Sequence, residues 1–563
     1  MTPKLSRRQL LTTGAALGAA SVLPGFAQAA ARQHAPDGVF QHGVASGDPL
    51  ADRVLLWTRI SGANGTSDTV DVRWRVARDP GLRYVVASGR TRTSAERDFT
   101  VKVDASGLQP GVTYYYQFSA RGAHSPVGRT KSLPARGMNH ARLAFASCSN
   151  YPYGLFNAYA LIARRHDLDC VVHLGDYQYE YANEEYGDGR PLNRVPRPDR
   201  ETVTLADYRE RHACYKGDKD LQEAHRQHPW ICVWDDHEST NDSWMYGAEN
   251  HTPGNEGDWL VRKAASVRAY REWMPVRDPA DWLAVGDSAL SGAIRGAAGS
   301  GRIEPLFRSF HFGGLADLVM LDTRLYGRDD AAHDPSGKKY TDVAADDPTI
   351  NDPRRSLLGF DQEAWAYGEL ARSKRRGSTW QVLGQQVMMA QLSVDHGATF
   401  QNRDQWDGYK ATRDRLYAAA AQRDARNLVV LTGDIHSSWS NDLALNPWDG
   451  SYDAATGKGV VGVEFATPGI TSPGSKPAEA AEQTAQLAAH APHLRYVEMT
   501  QRGYGVLDLT PERVQGEFWH VDTVERYSRN ERLASAMYTQ RDRPGLVAAS
   551  GASKSKAAAD PAP

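Results

Sequence analysis

From about residue 140 onward the chain is punctuated by seven short apolar, β-prone runs, at 143–146, 170–174, 231–234, 318–321, 380–383, 428–431 and 460–465. Stretches of helical character lie between them, near 154–165, 257–273, 361–373 and 411–423. That alternation predicts an α/β domain over residues 140–525. Periodicity leaves open whether the runs form one sheet or two packed sheets. Residues 38–137 read differently. Segments 54–59, 70–76 and 112–118 are short, β-branched and aromatic, with Pro, Gly and Asp turns between them, which predicts a small all-β sandwich domain. The polar junction at 132–139 is the expected boundary. Loops at 182–204, 279–301 and 327–356 are longer than most connections, so they are lids or unstructured segments. The Ala/Ser/Lys/Pro-rich stretch 548–563 predicts a disordered tail.

The first residues belong to export and not to the fold. Lys4, Arg7 and Arg8 precede a mild apolar stretch over 10–23, and Ala27-Gln28-Ala29 matches a cleavage pattern. Ser6-Arg7-Arg8-Gln9-Leu10-Leu11 matches a twin-arginine signal, so residues 1–29 read as an address for the Tat export machinery and the chain as periplasmic or secreted. The apolar part is too short and too rich in Ala and Gly to span a membrane. Removing residues 1–29 takes away three basic residues and leaves 63 Lys+Arg against 68 Asp+Glu, a net of −5. That balance excludes a nucleic-acid or anionic-membrane binder relying on bulk charge, so phosphate affinity must be local. Of four cysteines, Cys170 and Cys232 sit inside apolar runs and read as buried thiols, and Cys214 lies in a polar helix.

Three of the strand-like runs lead into acidic segments: His-Leu-Gly-Asp-Tyr-Gln-Tyr at 173–179, Trp-Asp-Asp-His-Glu at 234–238 and Thr-Gly-Asp-Ile-His at 432–436. Carboxyl ends of strands are where α/β sheets place ligand sites. Asp176, Asp235, Asp236 and Asp434 brought to one crevice cannot all ionise without a compensating cation, which points to metal ions.

Taken in chain order, Ala146-Ser147-Cys148-Ser149-Asn150, Gly175-Asp176-Tyr177-Gln178-Tyr179, Asp235-Asp236-His237-Glu238 and Gly433-Asp434-Ile435-His436 resemble the motifs of the calcineurin-like metallophosphoesterases. The resemblance is closest to the PhoD-type alkaline phosphatases/phosphodiesterases, in which a cysteine replaces the first aspartate. It extends to Gly43-Val44-Ala45-Ser46-Gly47-Asp48-Pro49, Leu321-Asp322-Thr323-Arg324-Leu325-Tyr326 and Arg502-Gly503-Tyr504-Gly505-Val506, and so covers nearly the whole mature chain. It implies the α+β four-layer metallophosphoesterase sandwich behind an N-terminal all-β, fibronectin type III-like domain. It also implies iron plus calcium.

By analogy with the purple acid phosphatases, Asp176 would bridge two metals and Tyr179 would bind ferric iron. Cys148 takes the place of the first aspartate and His436 that of the last histidine. Three anionic donors among these four suit Fe³⁺. Asp236 and Asp434 stand where the motifs carry Asn and His, a harder and more anionic pair that favours Ca²⁺, with Mn²⁺ or Mg²⁺ as alternatives. Asp235 is a further ligand or an outer support. His237 should donate a hydrogen bond to the phosphate or the leaving oxygen, with Glu238 orienting it. Asn150 and Arg324, and behind them Arg209 and Arg211, are candidates for phosphate contact. His173 reads as a core histidine.

The activity implied is hydrolysis of phosphate mono- and diesters by metal-hydroxide attack, for phosphate acquisition, in a monomer whose partner is a phosphate ester. A phospholipase D on the same fold is the enzymatic alternative. A non-catalytic surface binding protein is a third reading, opposed by the intact motif set.

Overall fold

Two large sheets carry the motif strands. The computed structural model describes residues 38–62, 69–278, 303–331, 342–422 and 427–563; the signal read at 1–29 and the loop read at 279–301 lie outside the described residues. The first sheet has ten strands, in the order Arg543–Ala548, Glu531–Gln540, Arg513–Val521, Gly503–Leu509, Ala141–Ala146, Cys170–His173, Pro229–Cys232, Val44–Gly47, Arg53–Arg59 and Thr100–Ser106. The second has seven, in the order Arg308–Phe312, Ala316–Met320, Trp380–Gln385, Leu428–Thr432, Val460–Ala466, Ser438–Ala444 and Leu494–Glu498. All seven apolar runs are strands, divided three to four between the sheets.

Within each sheet the motif strands run parallel. Every residue of Cys170–His173 and Pro229–Cys232 is buried. Parallel strands are covered on both faces, which is why these read as unbroken apolar runs and not as alternation. One core joins the first sheet to the second and to helices Asn157–Ala163 and Lys219–Gln227; Val172, Val382, Leu431, Tyr159 and Leu221 all belong to it. A second core joins Val319, Leu383 and Val430 to Ala366, Leu370, Leu416 and Leu487 on three further helices. The helices start at residues suited to capping. Thr204 and Asp207 form a capping box for Leu205–Lys216, and Asp218 and Asp258 cap the next two long helices.

The N-terminal all-β region is fused to the larger half. Val44–Gly47 pairs in parallel with Pro229–Cys232, and Arg53–Arg59 and Thr100–Ser106 continue the same sheet. A five-stranded sheet containing Val70–Ala77, Val85–Thr93 and Thr113–Ala120 packs on it, with Val72, Val76 and Phe118 against Val54, Leu56 and Val101. The seam is fastened by Asp48, which is fully buried. It accepts hydrogen bonds from Arg308 Nη2 at 2.6 Å and from the Arg277 backbone N–H at 2.6 Å.

Two expectations at the C-terminal end are corrected. The sheet continues past residue 525 through Glu531–Gln540 and Arg543–Ala548. Residues 548–563 do not form a loose tail but lie along the protein. Arg142 donates to the Lys554 carbonyl at 2.9 Å, Lys556 pairs with Asp169, Tyr115 donates to the Asp560 carbonyl at 2.6 Å, and Ala562 N–H donates to Gln227 at 2.9 Å. A composition argument weighs only apolar burial; here distant polar groups supply the partners.

Removing one member of a buried ion pair leaves the other charge uncompensated. Asp48→Ala should therefore cost about 3 kcal/mol of stability, read as a lower denaturation midpoint. An unchanged midpoint would show that the seam does not depend on this pair.

Candidate metal centre

Backbone strain collects where the strands end. Cys148, Asp176, Asp434 and His436 all have positive φ, at 62°, 53°, 59° and 55°. Each non-glycine residue in this region costs on the order of 1 kcal/mol or more and persists only where its surroundings hold it. The effect is to turn four side chains out of the strand direction and into the gap between the sheets. Gly175, with φ 109°, permits the crowding: a Cβ there would lie 2.4 Å from the Asp235 Cβ.

On one side of the gap Cys148, Asp176 and His436 bring donor atoms within 4.8 Å of one another. Tyr179 joins them, its hydroxyl donating to Asp176 Oδ2 at 2.8 Å and lying 3.1 Å from His436 Nε2. Ser472 Oγ donates to the same hydroxyl at 2.7 Å. Burial, reinforced by Asp176, pushes the Cys148 thiol and the Tyr179 phenol well above their ordinary pKa values. A cation would reverse that preference and displace both protons.

Asp176 also belongs to a second group with Asp236 and His237, and Asp236 to a third with Asp235 and Asp434. Among the described residues Asp176 Oδ1 and Asp235 Oδ2 are buried without a hydrogen-bond partner. Carboxylate oxygens left in that state are costly and fit the role of metal donors. With thiol, phenol, imidazole and carboxylates converging, the donor set fits a pair of ions, one soft-tolerant and one hard.

Two glutamates hold this arrangement. Glu180 is fully buried; its carboxylate lies 2.7 Å from His237 Nδ1 and accepts the Asn241 backbone N–H at 2.8 Å. Burial works against a charged His237, but Glu180, Asp236 and Asp176 outweigh it and hold the pKa well above the usual range. Glu238 does not orient His237 as the motif reading expected. It accepts three backbone N–H groups, from Tyr177 at 2.6 Å, Asp235 at 2.8 Å and Asp176 at 3.2 Å, tying two motif loops together.

The expected phosphate contacts fall elsewhere. Arg324 is buried with each guanidinium nitrogen spent on a carboxylate: Asp235 at 2.5 Å, Asp404 at 2.8 Å and Asp434 at 3.0 Å. Burial opposes its charge, but these aspartates and Asp236 keep it cationic. It is a counter-charge inside the acidic cluster and has no free fork for substrate. Asn150 donates to the Tyr186 carbonyl at 2.7 Å and anchors the 182–190 loop. Arg211 is turned inward, donating to the carbonyls of Tyr179, Tyr181 and Pro198, and Arg209 pairs with Glu272. His173 is a core residue, bonded to Tyr159 and stacked near Trp230. All four cysteines are free and buried.

Residues not anticipated from sequence are Glu180, Asp404, Ser472 and Tyr186. The Tyr186 ring lies over His237 at 6.3 Å and its hydroxyl is 3.3 Å from His436 Nδ1. Only Glu180, one residue past the Gly-Asp-x-x-Tyr motif, had a nearby signal.

Comparison with known proteins gives a consistent result. The family model described as PhoD-like phosphatase matches residues 143–518, and that of the PhoD-like phosphatase N-terminal domain matches residues 26–134. The chain is 35% identical over 520 residues to alkaline phosphatase D of Bacillus subtilis (strain 168), covering 90% of this chain and 82% of that protein. It superposes on the solved structure titled "Structure of PhoD" with a TM-score of 0.78 and 33% identity, covering 91% of this chain and 92% of that one.

The shared position of Asp176 sets one expectation. Asp176→Asn should empty both sides of the gap, whereas Cys148→Ala should empty only the Cys148/His436 side, as read by elemental analysis of purified protein. Retention of full metal content in Asp176→Asn would rule out its bridging position.

A second expectation concerns pH. Burial, then Asp176, pushes Glu238 up from 4.5 to about 8, and burial pushes Asp235 up against the pull of Arg324. A carboxyl that binds its proton more tightly when folded stabilises the fold below its unfolded pKa and loses that contribution as pH rises through the folded one. The melting temperature of chelator-treated protein should thus fall between pH 5 and pH 9, while metal-loaded protein stays level. Equal profiles would show that the carboxylates do not depend on cations.

Proposed function

This chain belongs to the PhoD-like phosphatase family and is a phosphoric ester hydrolase, and on that premise we propose that it is an exported, metal-dependent alkaline phosphatase and phosphodiesterase serving phosphate acquisition. The observation that carries this reading is the convergence of Cys148, Asp176, Tyr179 and His436 beside His237 at the ends of strands from both sheets. Among the described residues no helix is long and apolar enough to cross a membrane, which is compatible with export of a folded enzyme. The architecture is read as the four-layer metallophosphoesterase sandwich with a fibronectin type III-like front region.

Cys148, Asp176, Tyr179 and His436 would hold Fe³⁺, and Asp176, Asp236 and Asp434 would hold Ca²⁺ or a similar hard cation. Bound there, the ions would supply an activated water and neutralise charge on the phosphoryl oxygens.

The remaining chemistry belongs to the chain. Glu180 takes the Nδ1 side of His237 and thereby leaves Nε2 as the working nitrogen. Its carboxylate also favours the protonated ring, the form able to give a proton to a leaving oxygen. The Tyr179 ring packs 4.2 Å from the His237 ring, and the Tyr186 ring, 5.6 Å from Tyr179, lies nearly parallel to the imidazole, so aromatic contacts restrain its plane. Arg324 bonds one oxygen of Asp235 and one of Asp434 and so fixes how the two carboxylates are turned. Glu238 holds the Asp176 and Asp235 loops in register through backbone amides, so the site is positioned before substrate arrives.

Purified protein should contain iron and calcium, should hydrolyse p-nitrophenyl phosphate and its diester above neutral pH, and should lose turnover on chelation. Zinc alone, or activity indifferent to chelators, would overturn the ion assignment. Glu180→Gln should lower kcat by about 10- to 100-fold with KM nearly unchanged, because outer partners of a site histidine contribute at that scale. A rise in KM at constant kcat would instead place Glu180 in substrate binding.

A further inference from the structure

Residues 70–93 carry six arginines and two aspartates, with no lysine or glutamate, in a chain whose formal net charge is −2. They form the antiparallel ribbon Val70–Ala77/Val85–Thr93 at the edge of the five-stranded sheet. Register places Arg73 directly opposite Arg90, Arg75 opposite Ser88 and Asp71 opposite Arg92. Directly paired side chains of an antiparallel ladder share a face about 5 Å apart, and like charges so placed destabilise the ladder. Asp71 engages Arg92 at 2.8 Å, but among the described residues no carboxylate pairs with Arg73, Arg75 or Arg90. The inner face of the same ribbon is apolar, with Val72 and Val76 in the core, so the arginines face outward as a row.

A second feature adjoins this row. Tyr84, Val85 and Val86, at the start of the Val85–Thr93 strand, are 68%, 46% and 43% exposed, beside a register shift in the pairing. Single exposed apolar residues are ordinary. Three in succession, leading into a row of exposed arginines of which Arg73, Arg75 and Arg90 face no carboxylate among the described residues, combine the two interactions that hold proteins at lipid headgroups. Cations meet phosphate, and aromatic and aliphatic side chains enter the interfacial layer.

We propose that this face docks the protein onto an anionic phospholipid surface. The occupant is a membrane and not a dissolved polyanion, because a dissolved polyanion would need the arginines alone and leaves Tyr84, Val85 and Val86 without a partner. None of these residues lies in the ten-stranded or seven-stranded sheet, so docking leaves the metal-centre strands free. The inference is independent of which phosphate ester the enzyme cleaves.

The test is co-sedimentation of the mature full chain with phosphatidylcholine vesicles, with and without phosphatidylglycerol. Binding is expected only with the anionic lipid and should fall steeply with salt. The variant Arg73→Gln/Arg75→Gln/Arg90→Gln should partition about a hundredfold more weakly, and Tyr84→Ser/Val85→Ser/Val86→Ser about tenfold more weakly. Both should melt and turn over p-nitrophenyl phosphate like the unmodified protein, which separates lost docking from lost folding. Absence of binding, or equal binding to phosphatidylcholine alone, would overturn the proposal. So would full competition by soluble polyphosphate together with undiminished binding of the Tyr/Val variant, which would identify a site for dissolved polyanions.

Discussion

Five buried carboxylates, from Asp176, Asp235, Asp236, Asp404 and Asp434, gather where the two sheets meet, and among the described residues the chain answers them with Arg324, which touches four of them, with Arg328 on Asp404 and with His237 beside Asp176 and Asp236. These cations are fewer than the carboxylates, and a desolvated cluster left with excess negative charge either takes up protons or takes up metal. Asp235 and Glu238 show the first outcome, both raised by burial. The thiol of Cys148 and the phenol of Tyr179 are in the same state, poised to exchange protons for a cation. The unfavourable electrostatics are thus the property that makes the site a candidate metal centre.

Holding such a cluster together requires a rigid frame, and most of the architecture supplies it. Parallel strands in two sheets deliver the motif residues from opposite sides of one core. Left-handed backbone at Cys148, Asp176, Asp434 and His436 aims the side chains inward. Glu238 and Glu180 then lock loops and ring through short hydrogen bonds to backbone amides and to His237. The N-terminal strands extend the same sheet, with Asp48 and Arg308 at the seam, and the C-terminal segment crosses from Glu517 to Gln227. The all-β region is therefore part of the frame on one face and offers a basic, partly apolar surface on the other.

Much of the candidate site was legible in the sequence because each motif is local. Cys148, Asp176, Tyr179, Asp236, Asp434 and His436 follow apolar runs at fixed short spacing, and parallel strands convert that spacing into a common edge. The seven apolar runs, four helices and the all-β composition of 38–137 were equally local. Residues that act across the chain were not legible. Arg324 looked like a phosphate ligand because arginine suits phosphate, yet 89 and 110 positions separate it from the aspartates it holds. Asp404 and Ser472 sit in segments with no motif at all.

By itself the sequence determined which side chains end the strands, that acidic groups and a cysteine are among them, and that a cation must answer the resulting charge. Periodicity and composition act over a few residues, so those conclusions needed no knowledge of the fold. Tertiary structure alone decided that the runs divide between two sheets and that the N-terminal strands join one of them. It also turned Arg324 inward and Glu180 toward His237, and found partners for the C-terminal segment. These are contacts between residues tens to hundreds of positions apart, set by how the sheets pack and by which buried polar groups must be satisfied once they do.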